Sequence, residues 1–167
     1  ILQNADTQWG GFGVAPKFPQ TFSIQILLRN YFAQKDQSSI VHAVRSLDKM
    51  IQGGLYDHLG GGFARYSTDA QWQAPHFEKM LYDNALLISV LSEAYQITKK
   101  TVYKTVIEET IQFVYRELSD STGVFYAALD ADSEGVEGKY YTWSYQALQA
   151  LLPEKLFKPF CEYFQIK

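Results

Sequence analysis

HFEKMLYDNALLISVLSEAYQIT, residues 76–98, decides the fold. Stepping about 100° per residue around a helix gathers Met80, Leu87, Val90, Leu91, Ala94 and Ile97 into one apolar arc. Glu78, Ser89, Ser92, Glu93 and Gln96 make the wet face. With Pro75 just ahead, the spacing predicts a long helix from about His76 to Thr98. His76, Lys79, Asp83 and Asn84 fall on the apolar arc near its start, so this face should run from the rim of a cavity into a core. Ionisable groups there need partners or ligands, because an unpaired buried charge is strongly disfavoured. The plainer reading is a Lys79–Asp83 pair at i,i+4, worth about 0.3–0.5 kcal/mol, beside an exposed His76.

The same period extends both ways. Val102 to Leu118 repeats it through Tyr103, Ile107, Ile111 and Val114. Upstream, Ile24, Leu27, Leu28, Tyr31 and Phe32 lie at helical spacing behind Thr21, an N-cap candidate. Ile40, Val44, Leu47 and Ile51 form a stripe that ends at Gly53, where a capping glycine belongs. Ser144 can cap a short helix to Leu152, and Pro153 suits the first turn of a last one carrying Leu156, Phe157, Phe160 and Phe164. Six helices in three pairs result. Glycine beside an aromatic recurs in the long connections, at GGFG (10–13), GGGF (60–63) and GVFY (123–126), a weak repeat that suits a helical toroid or solenoid. Segments 63–66, 124–126 and 139–143 can form short strands but not a sheet-based core. The expected class is all-α, with helical hairpins and short β-hairpin segments in the loops.

Composition narrows the function. A chain of 167 residues, 47% apolar and 20% charged, supports one cored domain, 1–167. It opens at Ile1 with no basic or apolar leader, which suggests processing or a piece of something longer. The net charge of −3 and pI near 5.6 give no basic field, so no nucleic-acid partner is expected. No apolar run approaches the ~20 residues that span a bilayer, so no membrane is expected either. A lone Cys161 excludes an internal disulfide and dithiol chemistry, which fits a cytoplasmic location. Aromatics at 16% suit a ring-lined pocket for the apolar faces of sugars.

Two loops carry further polar groups. GGLYDHLGGGFARYSTDAQW (53–72) packs five glycines into ten residues and interleaves Asp57, His58, Arg65, Tyr66 and Asp69. That density implies a loop of defined shape. It lacks the strand-then-helix setting of a phosphate-binding loop, and it leads into the 76–98 helix, so the two should share one mouth. In LDADSEGVEG (129–138), Asp130, Asp132 and Glu134 imitate the first half of a calcium loop, but position 12 is Tyr141 and cannot supply a carboxylate. No metal and no cofactor are expected. Alternation would aim the three acids one way, which suits a hydroxyl-rich ligand.

GGFGVAPKFPQ (10–20), GGLYDHLGGGFARYSTDAQWQAPHFEKMLYDNALL (53–87) and FYAALDADSEGVEGKYYTW (125–143) together resemble the central region of the thioredoxin-domain-containing YyaL-like or spermatogenesis-associated family. The resemblance implies an (α/α)6 toroid of the six-hairpin glycosidase kind, akin to N-acylglucosamine 2-epimerases. About three of its six hairpins would be supplied here. It also implies an attached thioredoxin-like domain, absent from these residues. On this view Asp57, Arg65, Tyr66, His76, Glu78, Lys79, Asp83, Asp130, Asp132 and Glu134 line the open end of the toroid.

Two functions compete. In sugar epimerase or isomerase chemistry, His76 is the base, Lys79 or Arg65 stabilises an enediolate, Asp83 orients a partner, and Tyr66 and Trp72 stack on the sugar ring. A hydrolase would instead need two facing carboxylates, Asp83 with Asp132 or Glu134. The non-catalytic alternative is a docking domain for ligands or proteins that serves the thioredoxin-like domain. In a third reading the polar clusters only hold the loops together. The piece alone is expected to be inactive, and a second copy is expected to cover the unclosed toroid face.

Overall fold

The computed structural model describes every residue except Gln165 and Lys167. It divides into two compact units, Ile1–Ala131 and Asp132–Lys167.

The first unit is built on two helical hairpins. α1 (Thr21–Gln34) and α2 (Gln37–Gln52) are joined by two residues: Lys35, left-handed at φ 58°, and Asp36, whose carboxylate accepts the amides of Ser38 and Ser39. α3 (Leu81–Thr98) and α4 (Thr101–Glu117) turn the same way through Lys99, also left-handed at φ 58°, and Lys100. α1 packs on α2 and α3, and α3 on α4. Ile24, Leu28, Leu47, Met50, Leu87 and Leu91 meet in the core, and Tyr103 and Trp72 are fully enclosed with them. Four helices at the expected spacing are therefore present. Two of their ends are made differently. Gln20, not Thr21, occupies the first N-cap and makes no side-chain cap bond, while Thr21 is already helical and buried. Gly53 follows α2 in extended backbone, φ −86°, instead of the left-handed conformation of a capping glycine. It is glycine for space, since a Cβ there would lie 2.2 Å from the Trp72 carbonyl oxygen.

The largest departure is at the start of α3. Residues 75–80 are extended. β1 (Tyr66–Ser67) pairs antiparallel with β2 (Pro75–His76), Tyr66 opposite His76, and β3 (Lys79–Met80) pairs with β4 (Ala128–Leu129). The helix begins only at Leu81. Cross-chain backbone pairing overrides the local helical pattern, so His76 and Lys79 sit on strands and not on the helix face. Asn84 ties the junction together: its amide oxygen accepts Phe63 N–H at 2.7 Å, and its nitrogen donates to the carbonyls of Phe63 and Met80.

The second unit opens with a tight hairpin, β5 (Asp132–Ser133) against β6 (Val136–Glu137), turning on Glu134 and Gly135, both at positive φ. That is the backbone a two-residue hairpin turn requires. α5 (Tyr145–Leu151) is capped as expected by Ser144, whose hydroxyl accepts the Ala147 amide. α6 (Glu154–Phe164) follows Pro153, carries Pro159 in its interior, and packs on α5 through an edge contact between Tyr145 and Phe157. No described helix is long and apolar enough to cross a membrane.

Candidate functional site

The polar residues of the first unit separate into two groups with different jobs. One group is inward. Lys79 is 3% exposed; its ammonium donates to Asp57 at 2.8 Å and to the Gly61 carbonyl at 2.9 Å, and lies 4.5 Å from the centre of the Phe113 ring. Burial lowers the Lys79 pKa against the pull of Asp57. Burial also works on Asp57, yet Lys79 and the amides of Gly60 and Leu59 win and hold its carboxyl below the usual value. The pair fastens the glycine loop to the start of α3. Gly62 permits the fit: it sits at φ +79°, and a Cβ would fall 2.3 Å from Phe113.

The other group lies along β1, β2 and the first turn of α3. Arg65 donates to Glu78 at 2.8 Å, and backbone Arg65 N–H to Glu78 carbonyl repeats the link. Tyr66 stacks on His76, ring centres 4.9 Å apart and 20° from parallel, as the register dictates. Asp83 is half-buried, and its Oδ2 has no hydrogen-bond partner. Burial pushes its pKa up to about 6, only partly opposed by a hydrogen bond from Tyr82 and the charge of Arg65. Arg65 Nε is likewise enclosed without a partner. Arg65 lies close enough to Asp83 for its charge to act on the carboxyl, while His76 is held by its stacking on Tyr66, the residue after Arg65. Imidazole, guanidinium and a carboxyl of raised pKa are the group types that general acid–base chemistry uses.

Three relatives and three solved structures bear on the family and the fold. Spermatogenesis-associated protein 20 from Mus musculus and from Homo sapiens are each 43% identical to the chain over 159 residues, 89% of its length. An uncharacterized protein from Caenorhabditis elegans is 36% identical over 97% of the chain. The chain matches the spermatogenesis-associated protein 20 family. It spans about a fifth to a quarter of the length of these relatives, 20% and 25% respectively. No family model matches. Among solved structures, cellobiose 2-epimerase from Spirochaeta thermophila superposes with a TM-score of 0.69 at 19% identity, over 77% of this chain and 35% of that one. Cellobiose 2-epimerase from Bacillus thermoamylovorans gives 0.67 at 12% identity, over 97% and 49%. A D-mannose isomerase gives 0.59 at 21% identity, over 69% and 30%. At such identities the likeness shows the fold: this family stretch has the helical-hairpin architecture of six-hairpin toroids.

Several residues expected at the site stand elsewhere. Trp72 is 0% exposed, its indole N–H bonded to the Trp9 carbonyl, so it is a core residue and cannot stack on a ligand. Lys79 and Asp57 form the inward pair, and Lys79–Asp83 is not the ion pair that Lys79 makes. Glu78 belongs to the Arg65 pair, not to a wet helix face. Tyr66 is flanked by Phe18 at 4.8 Å as well as His76, and so offers its edge and hydroxyl instead of a free ring face. Asp130 is exposed at the end of the first unit, whereas Asp132 and Glu134 belong to the second, where Glu134 bonds Lys139. Among the described residues no group of His, Cys, Asp and Glu is placed to hold a metal ion. Sequence reasoning missed Lys17. It is 0% exposed, bound to Asp6 at 2.5 Å and to the carbonyls of Gly10 and Ala70 at 2.9 Å, and 5.4 Å from the Trp72 ring centre. Phe18 and Tyr82 were missed with it, and no local pattern in the sequence marks any of the three.

Proposed function

We propose that this chain carries part of a carbohydrate-processing site of the epimerase or isomerase type, in which His76 is the base. The observation that supports the reading is a half-buried Asp83 whose raised pKa is opposed by the charge of Arg65, one residue before the Tyr66 that pairs with His76, within a fold that sugar epimerases and isomerases also use. The substrate class is a neutral, hydroxyl-rich aldose or disaccharide. His76 takes the proton from the carbon beside the carbonyl; the C–H electron pair forms the new double bond, and the carbonyl π pair moves to oxygen as an enediolate. Arg65 offsets that negative charge, and the protonated fraction of Asp83 donates to it. Return of a proton to the opposite face of the same carbon, with loss of the proton that Asp83 gave to oxygen, gives the epimer. Return to the former carbonyl carbon, whose oxygen keeps the proton from Asp83 while the neighbouring hydroxyl gives its own back to Asp83 and becomes the new carbonyl, gives the isomer. Lys79 and Asp57 hold the loop and take no part in the chemistry.

The test is a thermal-shift panel of neutral sugars on the full-length protein. A sugar at 100 times its Kd stabilises by roughly 2.7 kcal/mol. Binding is expected to survive His76→Ala and to fall with Arg65→Ala. A flat response across the panel refutes the reading and favours a docking role.

A further inference from the structure

Lys17 and Ser67 exchange both backbone hydrogen bonds, N–H to carbonyl at 2.8 Å each way, on the side of β1 opposite to β2. One step along that register sets Phe18 beside Tyr66, and Tyr66 is already opposite His76. The three rings form a row across β2, β1 and the bridged segment at 17–18: Phe18 to Tyr66, 4.8 Å and 30°; Tyr66 to His76, 4.9 Å and 20°. Side chains alternate across a strand, and they do so here. Lys17 and Ser67 face inward at 0% exposure, while Phe18, at 43%, lies on the open face. The inward anchor is strong, because the Lys17 ammonium bonds Asp6, Gly10 and Ala70. A half-exposed phenylalanine has no core to fill. What it does is close the free face of Tyr66, and Tyr66 closes one face of His76.

We propose that Phe18 is a positioning residue, the outer ring of a stack that fixes the plane of the His76 imidazole. This rests on the reading of His76 as the group that moves the proton, whose geometry must be held for the transfer to be efficient. Phe18 touches no reacting atom; it acts through Tyr66.

The experiment is NMR of the full chain with 13C-labelled histidine rings. The chain has three histidines, and His42, buried at 5% exposure against Phe12, reports on the fold independently. In the parent protein the His76 ring protons are expected to show cross-relaxation with the Tyr66 ring, whose centre is 4.9 Å away. Phe18→Ala is expected to shift the His76 resonances toward those of free histidine and weaken that cross-relaxation, with His42 unmoved. Phe18→Tyr is expected to restore both, and Phe18→Leu, which keeps apolar bulk without a ring, is not. An unmoved His76 in Phe18→Ala overturns the proposal, as does restoration by Phe18→Leu. The measurement reads ring geometry and not turnover, so it can fail while the proton-transfer reading stands, and the reverse.

Discussion

Removing Asp57 takes the carboxylate partner away from a buried ammonium. Lys79 is 4% exposed along its side chain and Asp57 20%. Breaking a buried pair by deleting one partner costs about 3–5 kcal/mol, because the other charge stays buried and uncompensated. Asp57→Ala belongs at the lower end, about 3 kcal/mol, since Lys79 keeps the Gly61 carbonyl and the Phe113 ring face. Lys79→Met removes the charge and keeps most of the volume. Asp57 retains its bonds from Leu59 and Gly60, so this variant is expected to cost about 1 kcal/mol. In the double variant no stranded ammonium remains and only those two turn bonds are lost in addition, at about 1 kcal/mol. The expected total is then about 2 kcal/mol against an additive sum of about 4, a coupling of about 2 kcal/mol. The assay is urea unfolding of all four proteins at pH 7, with equal m-values required for the comparison. Because the folded Asp57 carboxyl titrates below its unfolded value, its contribution is present above pH ~4 and fades as pH falls through the folded pKa. Additivity within about 0.5 kcal/mol would mean that the pair is not buried in the sense described, and Lys79 would return as a ligand-facing cation.

Three other outcomes follow from the packing and the charges. Gly53→Ala is expected to destabilise by about 2–3 kcal/mol in thermal unfolding, despite its ordinary φ, because the new Cβ meets the Trp72 carbonyl at 2.2 Å. A cost of a few tenths would contradict the close approach. Asp83 has a folded pKa of about 6 against about 3.9 unfolded, so its contribution is whole below pH ~4 and lost as pH rises through 6. Asp83→Asn is therefore expected to gain about 1 kcal/mol at pH 7.5 relative to pH 4, less than the full shift implies because the group is part-exposed; equal effects at both pH values refute it. Tyr103 donates to Asp48 at 2.8 Å from a fully buried ring, and Tyr103→Phe is expected to cost about 1–2 kcal/mol by the same denaturation assay. No loss there would show that Lys100, which also bonds Asp48, satisfies the carboxylate alone.

The helices were legible because their signal is local. Leu87, Val90, Leu91 and Ala94 were placed on the inner face by spacing alone, and all four are buried. The Ser144 cap was legible for the same reason. The start of α3 was not, because residues 75–80 are extended by partners at 66–67 and 128–129, far off in the chain, and Met80 extends an apolar arc equally well in either state. The site shows the same division. Arg65 acts on Asp83 through its charge, and His76 is paired with Tyr66, the next residue along from Arg65. Trp72 and Lys79 differ because a tryptophan or lysine beside glycines reads alike whether it faces a ligand or the core. Only the backbone at Gly53 and Gly62, closed against Trp72 and Phe113, decides that they turn inward. Lys17 left no local trace: its partner Asp6 lies 11 residues away and its other two acceptors are backbone carbonyls.

The central claim, that His76 moves a proton on a sugar carbon, is tested most directly by isotope exchange. The full-length protein is incubated in D2O with a panel of aldoses and disaccharides, and deuterium at the carbon beside the carbonyl is followed by NMR. The account expects wash-in with at least one sugar and a loss of at least ~100-fold in His76→Ala with sugar binding retained. Exchange that continues unchanged in His76→Ala, or no exchange with any sugar that binds, would contradict it.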